Sequence, residues 1–362
     1  MFVNPRDFEF RFPIAAKLIV APLAMVSGLA GVAKAIAEHR NENLPDHLQA
    51  LLNGTEPDAV ARTMAEQLIN GERATVLLGN LAVAHPLLAC LRALAVFIAE
   101  SSGASLGYLP EAANSVGAWL AGALPHRTAG GKPAVQVGLN ARAMLESPRK
   151  AYVLAGFEPG FDCWDPATAT MAIQQADFVV ALTPYASENL KDVAKAILPV
   201  AAFSETSGTY VNAEGYWQSF QAAVKPRGEA RPAWKVWRVL GNAFDLPGFD
   251  YLESGDILED VRSQCEAVEP RNLVPAADHF DDCVVSGLLR VGDVPIYSVD
   301  PLVRRARSLQ KTPLAGRAEI RLHPETAREL GLENAEQACV RQNGGEIILP
   351  LVLDTAIAPG CV

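Results

Sequence analysis

The sequence predicts an α/β protein built from parallel βαβ lobes, and three observations carry that expectation. From about residue 72, apolar runs of strand length alternate with amphipathic stretches of helical length. Turns rich in glycine and proline close those runs, as at Gly79-Asn80 and Gly156-Phe157-Glu158-Pro159-Gly160. Half of the 362 residues are hydrophobic and a fifth are charged, a globular balance in a chain longer than one core usually spans.

The elements follow in order. Lys17–Val20 reads as a buried strand and Ala24–Glu38 as a helix. Lys17, Pro22 and Lys34 interrupt this apolar region, so its uncharged part falls short of the ~20 residues a membrane span needs. Ala74–Leu78 is a strand, His85–Glu100 a helix ending in a break at Ser101–Gly103, and Ser105–Tyr108 a short strand. A second series runs from strand Lys150–Ala155 through helix Pro166–Gln175 to strand Phe178–Leu182. Thr183-Pro184 then opens a helix to about Ala196, with Ile197–Ala202 the next apolar segment. In a parallel sheet the loops after these strands, 156–162, 183–187 and 203–216, line the ligand crevice.

After Pro232 a helix carries Trp234, Val236, Trp237 and Leu240 at core spacing, and Ile257–Val268 is another. The tail becomes β-rich: Ala318–Leu322, a helical turn at Pro324–Leu330, Ala338–Gln342, a tight turn at Asn343-Gly344-Gly345, and Glu346–Leu353. The expected organisation is an N-terminal strand and helix segment over 1–71, α/β lobes over 72–148 and 149–311, and a β-rich unit over 312–362. That last unit reads as stopping in mid-barrel, as in a fragment of a longer protein.

A net charge of −10 argues against a nucleic-acid partner, which demands clustered cations. The run Arg304-Arg305-Ala306-Arg307 with Lys311 reads as a solvated face or a contact to an acidic partner. Cysteines 90, 163, 265, 283, 339 and 361 form no CxxC and no zinc or cluster spacing, and scattered thiols fit a reducing compartment. Six dispersed histidines make no HExxH, and no GxSxG, Walker or GxGxxG motif occurs. His279 with Asp278, Asp281 and Asp282 reads as a solvated acidic loop rather than a metal site. The loop at 156–162 could offer backbone N–H groups to a phosphate, but Glu158 and Asp162 oppose an anion there. The stretch from Leu198 to Gln218 gathers small hydroxyl residues around Gly208 at a strand end. It suits either a polar ligand or a loop whose hydroxyls satisfy one another.

Two segments are distinctive: "AILPVAAFSETSGTYVNAEGYWQ" (196–218) and "VKPRGEARPAWKVWRVLGNAFDLPGFDY" (224–251). With "NSVGAWLAGALPHR" (114–127), "KAYVLAGFEPG" (150–160) and "VRRARSLQKTPLAGRAEIRLHPETARELGL" (303–332), they resemble the molybdopterin oxidoreductase superfamily in the expected order. The resemblance is closest to the family of G subunits of bacterial NADH:quinone oxidoreductase, respiratory complex I. It implies parallel βαβ lobes of molybdopterin oxidoreductase type, with the start of a C-terminal β-barrel.

The resemblance also implies a scaffold whose cofactor is lost. Where the enzymes carry G-x-N-P this chain has Gly156-Phe157-Glu158-Pro159, and where they carry Arg in an EGRxQ turn it has Tyr216. Gly156, Thr209, Asn212 and Gln218 are then degenerate pterin-pocket positions, with no catalytic residue, no metal ligand and no activity expected of the fragment alone. Iron–sulfur clusters are expected in the N-terminal part of the full-length protein. The implied partners are other subunits of the peripheral arm, with no membrane span, at the cytoplasmic face of the inner membrane. The alternatives are a molybdenum or tungsten bis-pterin oxidoreductase of formate dehydrogenase type missing its N-terminal lobe, and an α/β binding protein for a polar small molecule.

Overall fold

A computed structural model describes residues 1–268, 287–292, 295–342 and 344–362. The chain divides into two compact units, one of residues 1–109 with 271–362 and the other of 110–270.

The first unit opens with β1 (Phe2–Asn4), parallel to β2 (Lys17–Ile19) with Phe2 opposite Lys17. Its helices are α1 (Ala24–Arg40), α2 (Asp46–Leu52) and α3 (Ala59–Ile69). Small side chains keep one face of α1 thin: Ala30, Ala33 and Ala37 are buried, and Gly31 lies beside Ala61 of α3. Close helix approach of this kind needs such residues, because a large side chain would hold the backbones apart. Asp58 caps α3 by accepting from Ala61 N at 2.7 Å. β3 (Thr75–Leu78), a short helix α4 (Asn80–Val83), α5 (Leu88–Ser102) and β4 (Ser105–Tyr108) make a βαβ unit with β3 and β4 parallel. His85 pins the entry to α5, with Nε2 2.9 Å from Pro22 O and Nδ1 accepting from Leu87 N at 2.9 Å.

The second unit begins with α6 (Ser115–Leu120) and α7 (Ala141–Glu146). Its centre is a parallel sheet in the order β5 (Ala151–Ala155), β6 (Phe178–Thr183), β7 (Ala196–Pro199), with α8 (Pro166–Gln174) and α9 (Glu188–Val193) as crossovers. Strand alternation sends Tyr152, Leu154, Val179 and Ala181 to one face, where they bury against Ile173 of α8 and Leu190 of α9. The hairpin of β8 (Gly208–Val211) and β9 (Trp217–Phe220) follows, then α10 (Ala233–Ala243) and α11 (Ser254–Cys265). Gly241 is required on α10, since a Cβ there would lie 2.3 Å from the ring of Phe249.

The chain then returns to the first unit with α12 (Pro301–Arg304), β10 (Ile320–Leu322), α13 (Pro324–Glu329), β11 (Gln337–Gln342) and β12 (Gly345–Leu353). β12 is central, parallel to β10 and antiparallel to β11, so the tail is an open three-stranded sheet. Asp7 N donates to Ala356 O at 2.7 Å and Ala358 N to Pro5 O at 2.9 Å, joining the first and last segments of the described chain. In the basic run, Arg304 Nε donates to Ser298 O at 2.7 Å and Arg305 Nη1 to Pro301 O at 3.0 Å.

Three expectations change. The helix expected from Thr183 shrinks to α9, because β6 runs through Thr183 and β7 starts at Ala196. The Thr183 hydroxyl accepts from Tyr185 N at 3.1 Å and donates to Tyr185 O at 2.9 Å, holding a side-chain turn where a helix would begin. The aromatic spacing on α10 does not mark a core: Trp237 is 39% exposed and only Gly241 of that helix is buried. The 1–71 region is more helical than expected, since α2 and α3 join α1. The cluster at Asp278, His279, Asp281 and Asp282, together with Cys283 and Asn343, lies outside the described residues.

Two packing details make predictions. Asn114 Oδ1 accepts from Val211 N at 2.9 Å, tying the hairpin to α6, and a Cβ on Gly117 would sit 2.1 Å from that oxygen. Val211 is buried. Asn114→Ala is therefore expected to destabilise the chain by about 1–3 kcal/mol by orphaning a buried donor. Gly117→Ala is expected to be costly alone and much cheaper in the Asn114→Ala background, where its clash partner is gone. Urea unfolding of the four-member cycle checks this; strict additivity would refute the link.

The second concerns Asp260 on α11. Tyr251 Oη and Gln264 Nε2 both donate to its carboxylate, and these bonds hold its pKa below the ordinary range. A depressed carboxylate stabilises the fold above its unfolded pKa, and that contribution is lost as pH falls through the folded value. Wild-type stability should thus decline below about pH 4, the unfolded aspartate value, more steeply than that of Asp260→Asn. Parallel acid limbs in the two unfolding curves would contradict this.

Candidate functional site

Because β5, β6 and β7 are parallel, their following loops gather at one edge of the sheet, the place where α/β proteins bind ligands. The first of these loops begins at Gly156, whose φ of 61° suits glycine and whose N–H continues the sheet to Leu182 O at 2.8 Å. The next N–H groups turn inward on the loop. Glu158 N donates to Asp162 Oδ2 at 2.8 Å, and Phe161 N and Asp162 N both donate to Glu158 O at 2.9 Å. Glu158 itself is only 2% exposed. Anion-binding loops work by aiming free N–H groups at phosphate. Here the N–H groups of 158, 161 and 162 are bonded within the loop, which leaves fewer donors for a phosphate.

Of the sequence-predicted positions, Thr209, Asn212 and Gln218 fall on the single β8–β9 hairpin, while Gly156 belongs to the separate β5 loop. Thr209 Oγ1 lies 3.0 Å from Ser219 Oγ across the two strands. Asn212 Oδ1 accepts from Glu214 N at 3.0 Å and Tyr216 N at 2.9 Å, which shapes the turn around Gly215. Gln218 is exposed on β9, opposite Tyr210. Hydroxyls nearby are similarly engaged: Thr206 Oγ1 donates to Ser207 O at 3.1 Å and Ser207 Oγ pairs with Ser254 Oγ at 2.8 Å. The small-hydroxyl run is thus largely satisfied within the fold.

Beside this hairpin the second unit carries an open cleft of about 720 Å³. Its walls are residues 205–209, the end of β9, the segment leading into α10, and the start of α11. Thr209 lines it; Gly156, Asn212 and Gln218 do not. Sequence reasoning missed this feature, because Lys225, Arg231 and Lys235 are spread over eleven positions and converge only through the turn before α10. Among the described residues, no group of three His, Cys, Asp or Glu side chains could hold a metal ion.

Comparison with known proteins places these features in a lineage. The Molybdopterin oxidoreductase family model matches residues 40–243, which include the βαβ unit of β3 and β4, the parallel sheet, the hairpin and α10. The chain is 28% identical over 326 residues to the G subunit of the NADH-quinone oxidoreductase of Streptomyces coelicolor, covering 82% of this chain and 37% of that protein. It is 27% identical over 334 residues to the protein of the same name from Mycobacterium bovis, covering 84% and 39%. The chain therefore spans well under half the length of these curated relatives. In fold it is similar to the acetylene hydratase of Pelobacter acetylenicus, with a TM-score of 0.57 at 16% identity over 99% of this chain and 65% of that one. With more than half of its length inside the family match, this chain is a member of the molybdopterin oxidoreductase family.

Proposed function

We propose that this chain is the cofactor-less, molybdopterin-oxidoreductase-like part of a G subunit of NADH:quinone oxidoreductase, and that its role is structural. The observation that carries the reading is the β5 loop. Its N–H groups at 156, 158, 161 and 162 are bonded within the fold. A phosphate entering there would find those donors already engaged. The likeness to two proteins that bear the name of that G subunit supports the assignment.

On this reading electrons pass through iron–sulfur clusters in the N-terminal part of the longer protein and bypass this chain. The partners are other subunits of the peripheral arm, at the cytoplasmic face of the membrane. Large apolar side chains left in solvent, among them Trp164, Phe244 and Leu252, support contacts with such neighbours. Among the described residues no helix is long and apolar enough to cross a membrane. The open sheet of β10, β11 and β12 is the first part of the family's barrel.

The test is Thr209→Ala in the full-length protein within the assembled complex. A scaffold predicts NADH-to-quinone electron transfer within about twofold of wild type per assembled complex. Removing a donor that stabilises a transition state costs roughly 10²–10³-fold. A loss of that size at unchanged assembly would sink the scaffold role.

A further inference from the structure

The loop between α6 and α7 inverts the charge of the chain around it. The protein carries a net charge of −10, yet residues 112–150 hold Arg127, Lys132, Arg142, Arg149 and Lys150 against a single acid, Glu146. Arg142 is engaged: its Nε donates to Glu146 Oε1 at 2.7 Å, and its guanidinium lies 5.5 Å from the ring centroid of Trp164. Among the described residues no carboxylate pairs with the other four cations, and all four are exposed. The six residues of α7 span only about 9 Å, so Arg149 and Lys150 follow the loop closely.

The same loop holds apolar side chains out in solvent. Val135 is fully exposed, Val137 is 66% exposed and Leu139 46%. The backbone beneath them is fixed. Thr128 N donates to Lys132 O at 2.8 Å, Ala134 N to His126 O at 3.1 Å, and Gly138 N to Pro125 O at 2.8 Å. Two glycines let the chain approach its surroundings: a Cβ on Gly122 would stand 2.4 Å from Thr128 C, and one on Gly130 2.2 Å from Gln264 O. Among the described residues the backbone of Val135, Gln136 and Val137 makes no hydrogen bond. Apolar groups rimmed by cations mark a contact surface, and one held in a single shape loses little freedom on binding. All these residues lie within the second unit.

We propose that this loop docks an acidic segment of a partner protein, with leucine-type side chains against Val135, Val137 and Leu139 and carboxylates against Lys132, Arg149 and Lys150. Charge complementarity selects a peptide segment over an anionic membrane. A segment seated on the loop lies within the Debye length of about 8 Å and meets the local cations. A flat anionic bilayer would also face the acidic remainder of the chain. The Arg149 guanidinium adds the forked geometry that suits a carboxylate. The proposal does not rest on the structural role above, because peptide binding and molybdopterin content are read separately.

Fluorescence anisotropy of the 362-residue chain with a short fluorescein-labelled peptide of glutamate, leucine and glycine tests this. Saturable binding is expected, weakened by salt because the cations are exposed. Serine in place of leucine should weaken the peptide about tenfold, and lysine in place of glutamate should abolish binding. The triple variant Lys132→Gln, Arg149→Gln, Lys150→Gln should lose about 100-fold in affinity, some fivefold for each charge. All three side chains are solvent-exposed, so its circular dichroism and melting temperature should match wild type and separate lost binding from lost folding. No saturable binding of the glutamate–leucine peptide, or binding that the folded triple variant retains, would overturn the proposal. Binding to phosphatidylglycerol vesicles in place of the peptide would reassign the loop to a membrane. Sedimentation of the chain alone at low salt is expected to show a monomer; a dimer lost in the triple variant would assign the loop to a second copy instead.

Discussion

The parallel register of β5, β6 and β7 governs how the second unit is arranged. Ala151 stands opposite Phe178 and Val180 opposite Ala196, so all three strands run the same way. That register is held by burial on one face, where Tyr152, Leu154, Val179 and Ala181 meet Ile173 and Leu190. A slip by one residue would turn every one of these side chains outward, which makes the register strongly specified. Each of the larger buried side chains is worth about 1.5–3 kcal/mol on the ordinary scale of apolar transfer. Parallel strands also oblige their connections to cross over, which places the three following loops on one edge.

What those loops can do depends on where their hydrogen bonds go. In the β5 loop the groups that would receive an anion are bonded to the loop's own Asp162 side chain and Glu158 carbonyl. In the β6 loop the Thr183 hydroxyl closes on Tyr185. After β7 the hydroxyl-rich segment joins a hairpin whose polar side chains pair across strands or shape its turn. Family fold and ligand chemistry are thereby separable: the strands are of molybdopterin oxidoreductase type, while the β5 loop is closed on itself. Cationic groups converge elsewhere, in front of α10.

Much of this was legible in the residues. β5, β6 and β3 are uninterrupted apolar runs bounded by glycine or by a polar turn, and Pro166 marks the start of α8 as a first-turn proline does. The hairpin β11–β12 followed from its glycine turn and flanking alternation. What escaped were features set by distant partners. β1 is three residues long and exists by pairing with β2, some way further along the chain. The helix signal at Thr183-Pro184 was locally sound, but a threonine hydroxyl captured the next backbone group first. Glu158 and Asp162 read from sequence as opposing an anion; that the Asp162 carboxylate and the Glu158 carbonyl take up the loop's own N–H groups is visible only with coordinates. Asn114 and Gly117 lie in a segment that carries the family resemblance, yet their link to Val211 spans almost a hundred positions.

The proposed scaffold role requires that the full-length protein hold no molybdopterin cofactor. The most direct measurement is molybdenum, tungsten and iron content of the full-length native gene product, with pterin fluorescence after denaturation. Iron without molybdenum, tungsten or pterin is the expected result. Stoichiometric pterin accompanied by either metal would contradict the claim and make the strand-end crevice an active site.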